Sequence, residues 1–288
     1  VKTILEDSID IDPYTVKFSN IYVFSDLYGR GYSDNPVGHE HTEHLYISQI
    51  LAILASSTIP WTSKDGFYII GYSLGGGISA AFTRYFPELV ISLILLAPSG
   101  LVRQKHIAWQ SYALYKMGGI LPESLVRFLV RRRLHNPVAQ AHNGRSEFRP
   151  EDAIGAELGS DEKNFDINIK IDSAVQWQLD NHDGFLSAFI SSIRYAPITD
   201  QHETFRTIGR NILTSKQRMV HGKVILLLGK TDSIILEDEV GPDVRACIGH
   251  DLVHTIVINA GHDVAISRAT EVVDELWTFW TAKEKLTN

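Results

Sequence analysis

Residues 67–82 read FYIIGYSLGGGISAAF. An apolar run ends in Gly71-Tyr72-Ser73-Leu74-Gly75, and small residues of helical character follow. A serine hydroxyl is a weak nucleophile until a neighbouring base takes its proton. Gly-x-Ser-x-Gly supplies the backbone for such a serine when it joins a buried strand to a helix. The sharp turn holds Ser73 in an unfavourable conformation, and Gly71 and Gly75 remove side chains that would collide across the bend. The helix that follows directs free N–H groups and the positive end of its dipole at the site, with Leu74 N–H as one oxyanion donor. The bland alternative is a glycine bend carrying an idle serine.

A nucleophilic serine requires a base, and the base requires an acid to orient it. On a parallel sheet the expected order is serine, acid, histidine, each just past the C-terminal end of a strand. Asp232 follows VILLLG and His262 follows HTIVINAG, both at such ends. Of twelve histidines, His262 alone combines a strand end, a preceding Gly261 and a late position. Packing or surface decoration is the alternative for His262, and a helix N-cap is the alternative for Asp232. The LLAPSG passage offers no rival carboxylate.

The elements that must position these residues are legible as runs. Ile21–Phe24 is a short β-rich stretch ending in the loop SDLYGRGYSDNP, and Glu43–Ser56 repeats apolar residues at helical spacing. Phe67–Gly71 reads as a strand buried on both faces, Ile78–Phe86 as a helix closed by Pro87, and LVISLILLAPSG as a second buried strand. Strand, helix, strand at this spacing implies a parallel sheet with crossover helices. From Leu101 to Met219 the text turns helical and aromatic, and strand-like runs resume at KVILLLGKTD. A helix across Leu236–Ile248, the strand-to-loop passage LVHTIVINAGHD and a closing helix over Thr270–Lys285 complete the chain. The expected fold class is therefore α/β. Its core is divided into 1–100 and 220–288 by a helical insertion over 101–219.

Composition narrows the partners. The net charge of −7 argues against nucleic acid or an anionic membrane, and Arg131-Arg132-Arg133, the only compact basic run, reads as a solvated helix face. No apolar run approaches the ~20 residues a membrane span takes. The single Cys247 excludes an intrachain disulfide and reads as packing. GHEHTEH, Gly38–His44, gathers three histidines and two glutamates, but its spacing is not His-Glu-x-x-His, so a polar loop is preferred to a metal site. No metal and no cofactor is expected. No secretory signal is read in the opening residues, and a cytoplasmic setting is the expectation; oligomeric state is left open.

Four passages in order, DLYGRGYSD, GYSLGGG, GKTD and NAGHD, make the chain from Ile21 onward resemble the α/β-hydrolase superfamily, in its esterase- and lipase-like serine-hydrolase branch. They look like that family's loop after its fourth strand, its nucleophile elbow, its acid loop and its histidine loop. The resemblance implies that the helical insertion is a lid over the site. In the family a third strand lies between the fourth and fifth and ends in a His-Gly loop that supplies the second oxyanion donor. About twenty residues precede Ile21 here, without His-Gly. Either the chain is an N-terminally shortened form or its first residues, with VKTIL as a strand, build the site differently.

The implied chemistry is acyl transfer to water, on a small, apolar, ester-like substrate met by lid residues such as Trp109, Tyr112, Leu114, Trp177, Phe185 and Phe189. These residues would equally serve as the lid's own core. A carbon–carbon bond hydrolase with the same three residues, and a catalytically impaired member that only binds ligand, are the alternatives. Serine rather than aspartate at the elbow disfavours the related epoxide hydrolases and haloalkane dehalogenases.

Overall fold

The computed structural model describes residues 2–8, 19–59, 61, 66–107, 109–116, 121–135, 150, 171–214, 216 and 219–282. Two sheets form among them. Strands β1 (Lys2–Ser8) and β2 (Ser19–Ser25) make an antiparallel pair, in register from Lys2 opposite Ser25 to Ser8 opposite Ser19. Strands β3 (Phe67–Tyr72), β4 (Val90–Leu96), β5 (Val224–Gly229) and β6 (Val253–Ile258) form a second sheet in the order β3-β4-β5-β6, parallel throughout. Parallel neighbours need crossovers, and helices supply them.

Helix α1 (Glu43–Ala55) follows β2, and its N-cap Thr42 accepts a hydrogen bond from Leu45 N–H. Helix α2 (Leu74–Tyr85) joins β3 to β4. Between β4 and β5 come α3 (Trp109–Lys116), α4 (Glu123–His135), α5 (Ile171–Asn181), α6 (Phe185–Tyr195) and α7 (His202–Leu213). Helix α8 (Glu237–Ile248) joins β5 to β6, and α9 (Val264–Ser267) and α10 (Ala269–Thr281) follow. The last three residues of the helix read over Thr270–Lys285 lie outside the described residues.

Burial separates two cores. The larger one gathers β4, β5 and β6 with Ala80–Phe82 of α2, Phe205 and Ile208 of α7, Val240 and Val244 of α8, and Leu276 and Phe279 of α10. The smaller one lies wholly within the helices between β4 and β5, from Leu114 and Tyr115 through Val126, Val130 and Leu134 to Phe185, Phe189 and Ile190. Each is a contiguous set of apolar side chains removed from water, the dominant favourable term in folding.

One expectation about the sheet fails. The run Phe67–Gly71 reads as buried on both faces, yet Tyr68 and Ile70 are about half exposed, whereas in β4 every residue but Ile91 is buried. The reason is position. Strand β4 has β3 and β5 as neighbours, but β3 pairs only with β4 among the described residues. Lys2–Leu5 of the VKTIL segment do lie in a strand, β1, but it pairs with β2 rather than β3; Val1 lies outside the described residues.

Candidate active site

Ser73 stands between the end of β3 and the start of α2, with φ 51° and ψ −118°. A positive φ is costly for a residue with a Cβ, so the surroundings must hold it there. They do so through the backbone. Ser73 N–H donates to Leu96 O of β4 at 3.0 Å, and Ser73 O accepts from Gly76 N–H and Ser99 N–H, both at 2.9 Å. Leu74 is the first residue of α2, so its N–H has no acceptor inside the helix.

The glycines divide the steric demand unevenly. A Cβ on Gly71 would run into Gly75 O and Ser79 Oγ; one on Gly76 would meet Pro98, and one on Gly77 would meet Pro197 O and Ser99 Oγ, each at 2.5–2.6 Å. A Cβ on Gly75 would meet nothing within 4 Å. The close approach of strand end to helix therefore falls on Gly71, Gly76 and Gly77. Gly75, paired with Gly71 on motif grounds, relieves no collision.

The loops after β5 and β6 bring two further side chains to Ser73. His262 Nε2 lies 3.0 Å from Ser73 Oγ, and His262 Nδ1 lies 2.8 Å from Asp232 Oδ2. Both Asp232 and His262 are buried, at 4% and 1% exposure. The other carboxylate oxygen, Asp232 Oδ1, accepts from Ile234 N–H at 2.8 Å and Ile235 N–H at 2.9 Å. Two fixed backbone donors thus hold the carboxylate, leaving Oδ2 for the imidazole. With Nδ1 donating to Oδ2, the imidazole presents Nε2 to the serine as an acceptor.

Tyr72 is a contributor that sequence reasoning passed over, because it occupies a variable position of the Gly-x-Ser-x-Gly pattern. Its hydroxyl donates to His262 O at 2.7 Å, and the two rings lie 5.5 Å apart. It therefore ties the histidine loop to the strand that carries the serine.

Ser73 lines a cavity of about 1760 Å³. Its walls include β2 and β3, Ile50, Ile53 and Leu54 of α1, Ser111 and Tyr115 of α3, Phe185, Phe189 and Ser192 of α6, and Trp277 and Trp280 of α10. The exposed faces of Tyr68 and Ile70 open into it. Of the aromatic and aliphatic residues singled out between β4 and β5, Phe185 and Phe189 line this cavity and also belong to the smaller core. Leu114 is buried in that core, and Trp177, 43% exposed, packs 5.5 Å from Tyr32. The side chains of Trp109 and Tyr112 lie outside the described residues.

The GHEHTEH passage is not uniformly solvated. His44 is exposed and packs on Tyr85, but His41 is 2% exposed against Tyr46. Neither ring nitrogen of His41 has a hydrogen-bond partner among the described residues. Burial, and then the nearby Arg30 guanidinium, push its pKa down to about 4. Among the described residues, no group of three His, Cys, Asp or Glu side chains could hold a metal ion. Cys247 is partly buried, with its thiol pKa raised chiefly by burial.

The family model described as serine aminopeptidase, S33, matches residues 19–161, just under half of the chain. The fold resembles that of an esterase from Exiguobacterium antarcticum, with TM-score 0.55 and 15% identity over 92% of this chain and 82% of that one. It also resembles the 2-hydroxy-6-oxo-6-phenylhexa-2,4-dienoate hydrolase of Rhodococcus sp. strain RHA1, with TM-score 0.56 and 15% identity over 92% and 81%. The chain has the α/β-hydrolase fold. Its candidate residues lie where this fold places ligands, outside the carboxyl ends of parallel strands. By sequence it is 32% identical over 85 residues to an uncharacterized protein of Mycobacterium bovis. That match takes in 30% of this chain, which spans 23% of the length of the relative. No helix among the described residues is long and apolar enough to cross a membrane.

Proposed function

We propose that this chain is a serine hydrolase that cleaves a carboxylic ester or related acyl compound at Ser73. The observation that carries the reading is the hydrogen-bonded chain from Ser73 Oγ to His262 Nε2 and from His262 Nδ1 to Asp232 Oδ2, at 3.0 and 2.8 Å. The serine holds a positive φ on the wall of a large, mostly apolar cavity.

In this mechanism His262 Nε2 takes the hydroxyl proton as Ser73 Oγ attacks the carbonyl carbon. Asp232 fixes the tautomer and stabilises the imidazolium that forms. Leu74 N–H, at the start of α2, donates to the tetrahedral oxyanion, where one such donor is worth about a hundred- to a thousand-fold in turnover. Collapse of the intermediate expels the alcohol, protonated by His262, and leaves an acyl-serine. Water, deprotonated by the same imidazole, then attacks the acyl-serine, and the acid departs with Ser73 reprotonated.

The helices between β4 and β5 act as a lid in this reading. Support comes from α3 and α6, which carry Tyr115, Phe185 and Phe189 onto the cavity wall while packing on one another in a core of their own. An apolar lining suits an apolar acyl or alcohol portion of the substrate.

The test is hydrolysis of a short-chain p-nitrophenyl ester by the chain and by Ser73→Ala, with circular dichroism establishing that both are folded. Turnover that disappears in the variant supports the reading. Equal turnover in both proteins, or none in either, contradicts it.

A further inference from the structure

Among the described residues, the one strongly basic group on the cavity wall is Arg30, in the loop between β2 and α1. Gly29, at φ 72°, and Gly31, at φ 53°, flank it, and both need to be glycine for space as well as conformation. A Cβ on Gly29 would collide with Ala188, and one on Gly31 with the Asp26 carboxyl. The loop is further fixed by Gly31 N–H donating to Gln178 Oε1 at 2.7 Å and Tyr32 N–H donating to Asp26 Oδ2 at 3.0 Å. The Arg30 side chain is thereby held rather than free to sweep through solvent.

Its guanidinium lies over two lid-side rings, 5.2 Å from the Phe185 centroid and 5.6 Å from that of Phe189. A guanidinium carries five N–H donors. Among the described residues two contacts to neutral oxygens engage them, Gly29 O and Ser192 Oγ, both at a long 3.3 Å. No carboxylate of the described residues pairs with it. Other arginines of the chain behave differently: Arg103 pairs with Asp243, Arg131 with Asp180, Arg194 with Glu123 and Arg210 with Glu203. The titratable neighbours do not compensate the charge either. Burial raises the Tyr46 phenol pKa and lowers that of His41, so both are neutral near pH 7. Arg30 is itself half-buried, and burial lowers its pKa, the direction expected for a cation partly withdrawn from water without a counter-ion.

A second polar group in the same cavity lacks a partner. Ser111 is fully buried, lines the cavity, and its Oγ has no hydrogen bond among the described residues. A half-buried cation with unspent donors, an idle hydroxyl and aromatic walls call for an anion with an apolar body.

We propose that Arg30 is the specificity residue of this cavity and binds a carboxylate on the substrate, so that the compounds cleaved at Ser73 are esters bearing a free carboxylate group. The proposal rests on the serine-hydrolase reading for its chemistry, but not for the binding it asserts. Arginine suits the role because its planar fork meets both oxygens of a carboxylate at once.

The experiment compares kcat/KM for p-nitrophenyl half-esters of straight-chain dicarboxylic acids with p-nitrophenyl alkanoates of the same chain length. A second pair places the carboxylate on the leaving group: butyrate esters of 4-hydroxyphenylacetate and of 4-ethylphenol. The proteins are the unaltered chain, Arg30→Met and Arg30→Lys. In the unaltered chain one carboxylated probe is preferred over its neutral match. In Arg30→Met that ratio falls by about ten- to a hundredfold, the range for a hydrogen bond to a charged group. Arg30→Lys restores part of it. A loss of packing against Phe185 and Phe189 would lower both members of a pair together and leave the ratio unchanged, which overturns the proposal. Equal rates for both members of each pair in the unaltered chain overturn it as well.

Should no probe turn over, thermal shift with suberate decides the matter. A rise in Tm for the unaltered chain that is absent in Arg30→Met upholds the anion site while the Ser73 reading fails. No rise in either protein overturns the anion site.

Discussion

Replacing Asp232 by Asn tests the mechanism at a single atom. The carboxylate is held at both ends: Oδ1 by the N–H groups of Ile234 and Ile235, Oδ2 by His262 Nδ1. An asparagine has one oxygen to offer, so its amide must choose. With the oxygen left toward Ile234 and Ile235, both backbone bonds survive and the NH₂ group faces Nδ1. With the amide flipped, two buried N–H donors lose their acceptor, at about 1–3 kcal/mol each. The unflipped amide is favoured, and its NH₂ makes Nδ1 an acceptor and moves the imidazole proton to Nε2. Nε2 then donates to Ser73 Oγ instead of accepting from it, and the base is lost although every heavy atom keeps its place. The wrong tautomer costs about 10⁴-fold in kcat, or ~5 kcal/mol. The assay is turnover of a p-nitrophenyl ester at neutral pH, read beside the rate of Ser73 labelling by a fluorophosphonate. Both fall together, and Tm changes little. A kcat within about tenfold of that of the unaltered chain would show that Asp232 does not set the imidazole tautomer, because tautomer control is worth far more than that.

Gly71→Ala forces a methyl against Gly75 O and Ser79 Oγ, and overpacking of this kind costs about 1–3 kcal/mol, several degrees of Tm. Gly75→Ala meets no atom within 4 Å and gains helix propensity of up to about 1 kcal/mol, so its Tm holds or rises; equal losses at the two positions would contradict the assigned geometry. His41 is buried with a pKa lowered from 6.5 to about 4, so its unfolded form takes up a proton before the folded form does. Its contribution to stability is intact above pH 6.5 and drains away as pH falls toward about 4. His41→Phe flattens the fall in urea midpoint over that window, and a midpoint profile parallel to that of the unaltered chain would show that His41 is not the group responsible.

How much of this was readable from residue order depends on whether a feature is local. The α/β class was readable because the runs at β3, β4, β5 and β6 are short, apolar and separated by helical text. The three candidate side chains were readable because each follows such a run directly. The half-exposure of Tyr68 and Ile70 was not, since an apolar run is the same whether its strand has neighbours on one edge or two. Arg30 read as an ordinary loop residue between glycines. Its partial burial goes with its packing on Phe185 and Phe189, more than 150 residues away, and no local pattern reports that contact. His41 sat in a string of polar residues, and its packing against Tyr46 and α6, which the string does not report, helps to withdraw it from water. The assignment of relief to Gly75 came from the motif alone, whereas the space is set by Ser79, Pro98 and Ser99, which the pentapeptide does not contain.

The most direct test of the central claim is covalent labelling of the folded chain with a fluorophosphonate, followed by mass mapping of the modified peptide. One adduct on Ser73, absent in Ser73→Ala and strongly slowed in His262→Ala, is the predicted result. Adducts scattered over several hydroxyls, or labelling that persists when His262 is removed, would contradict the claim that this serine is activated by this histidine.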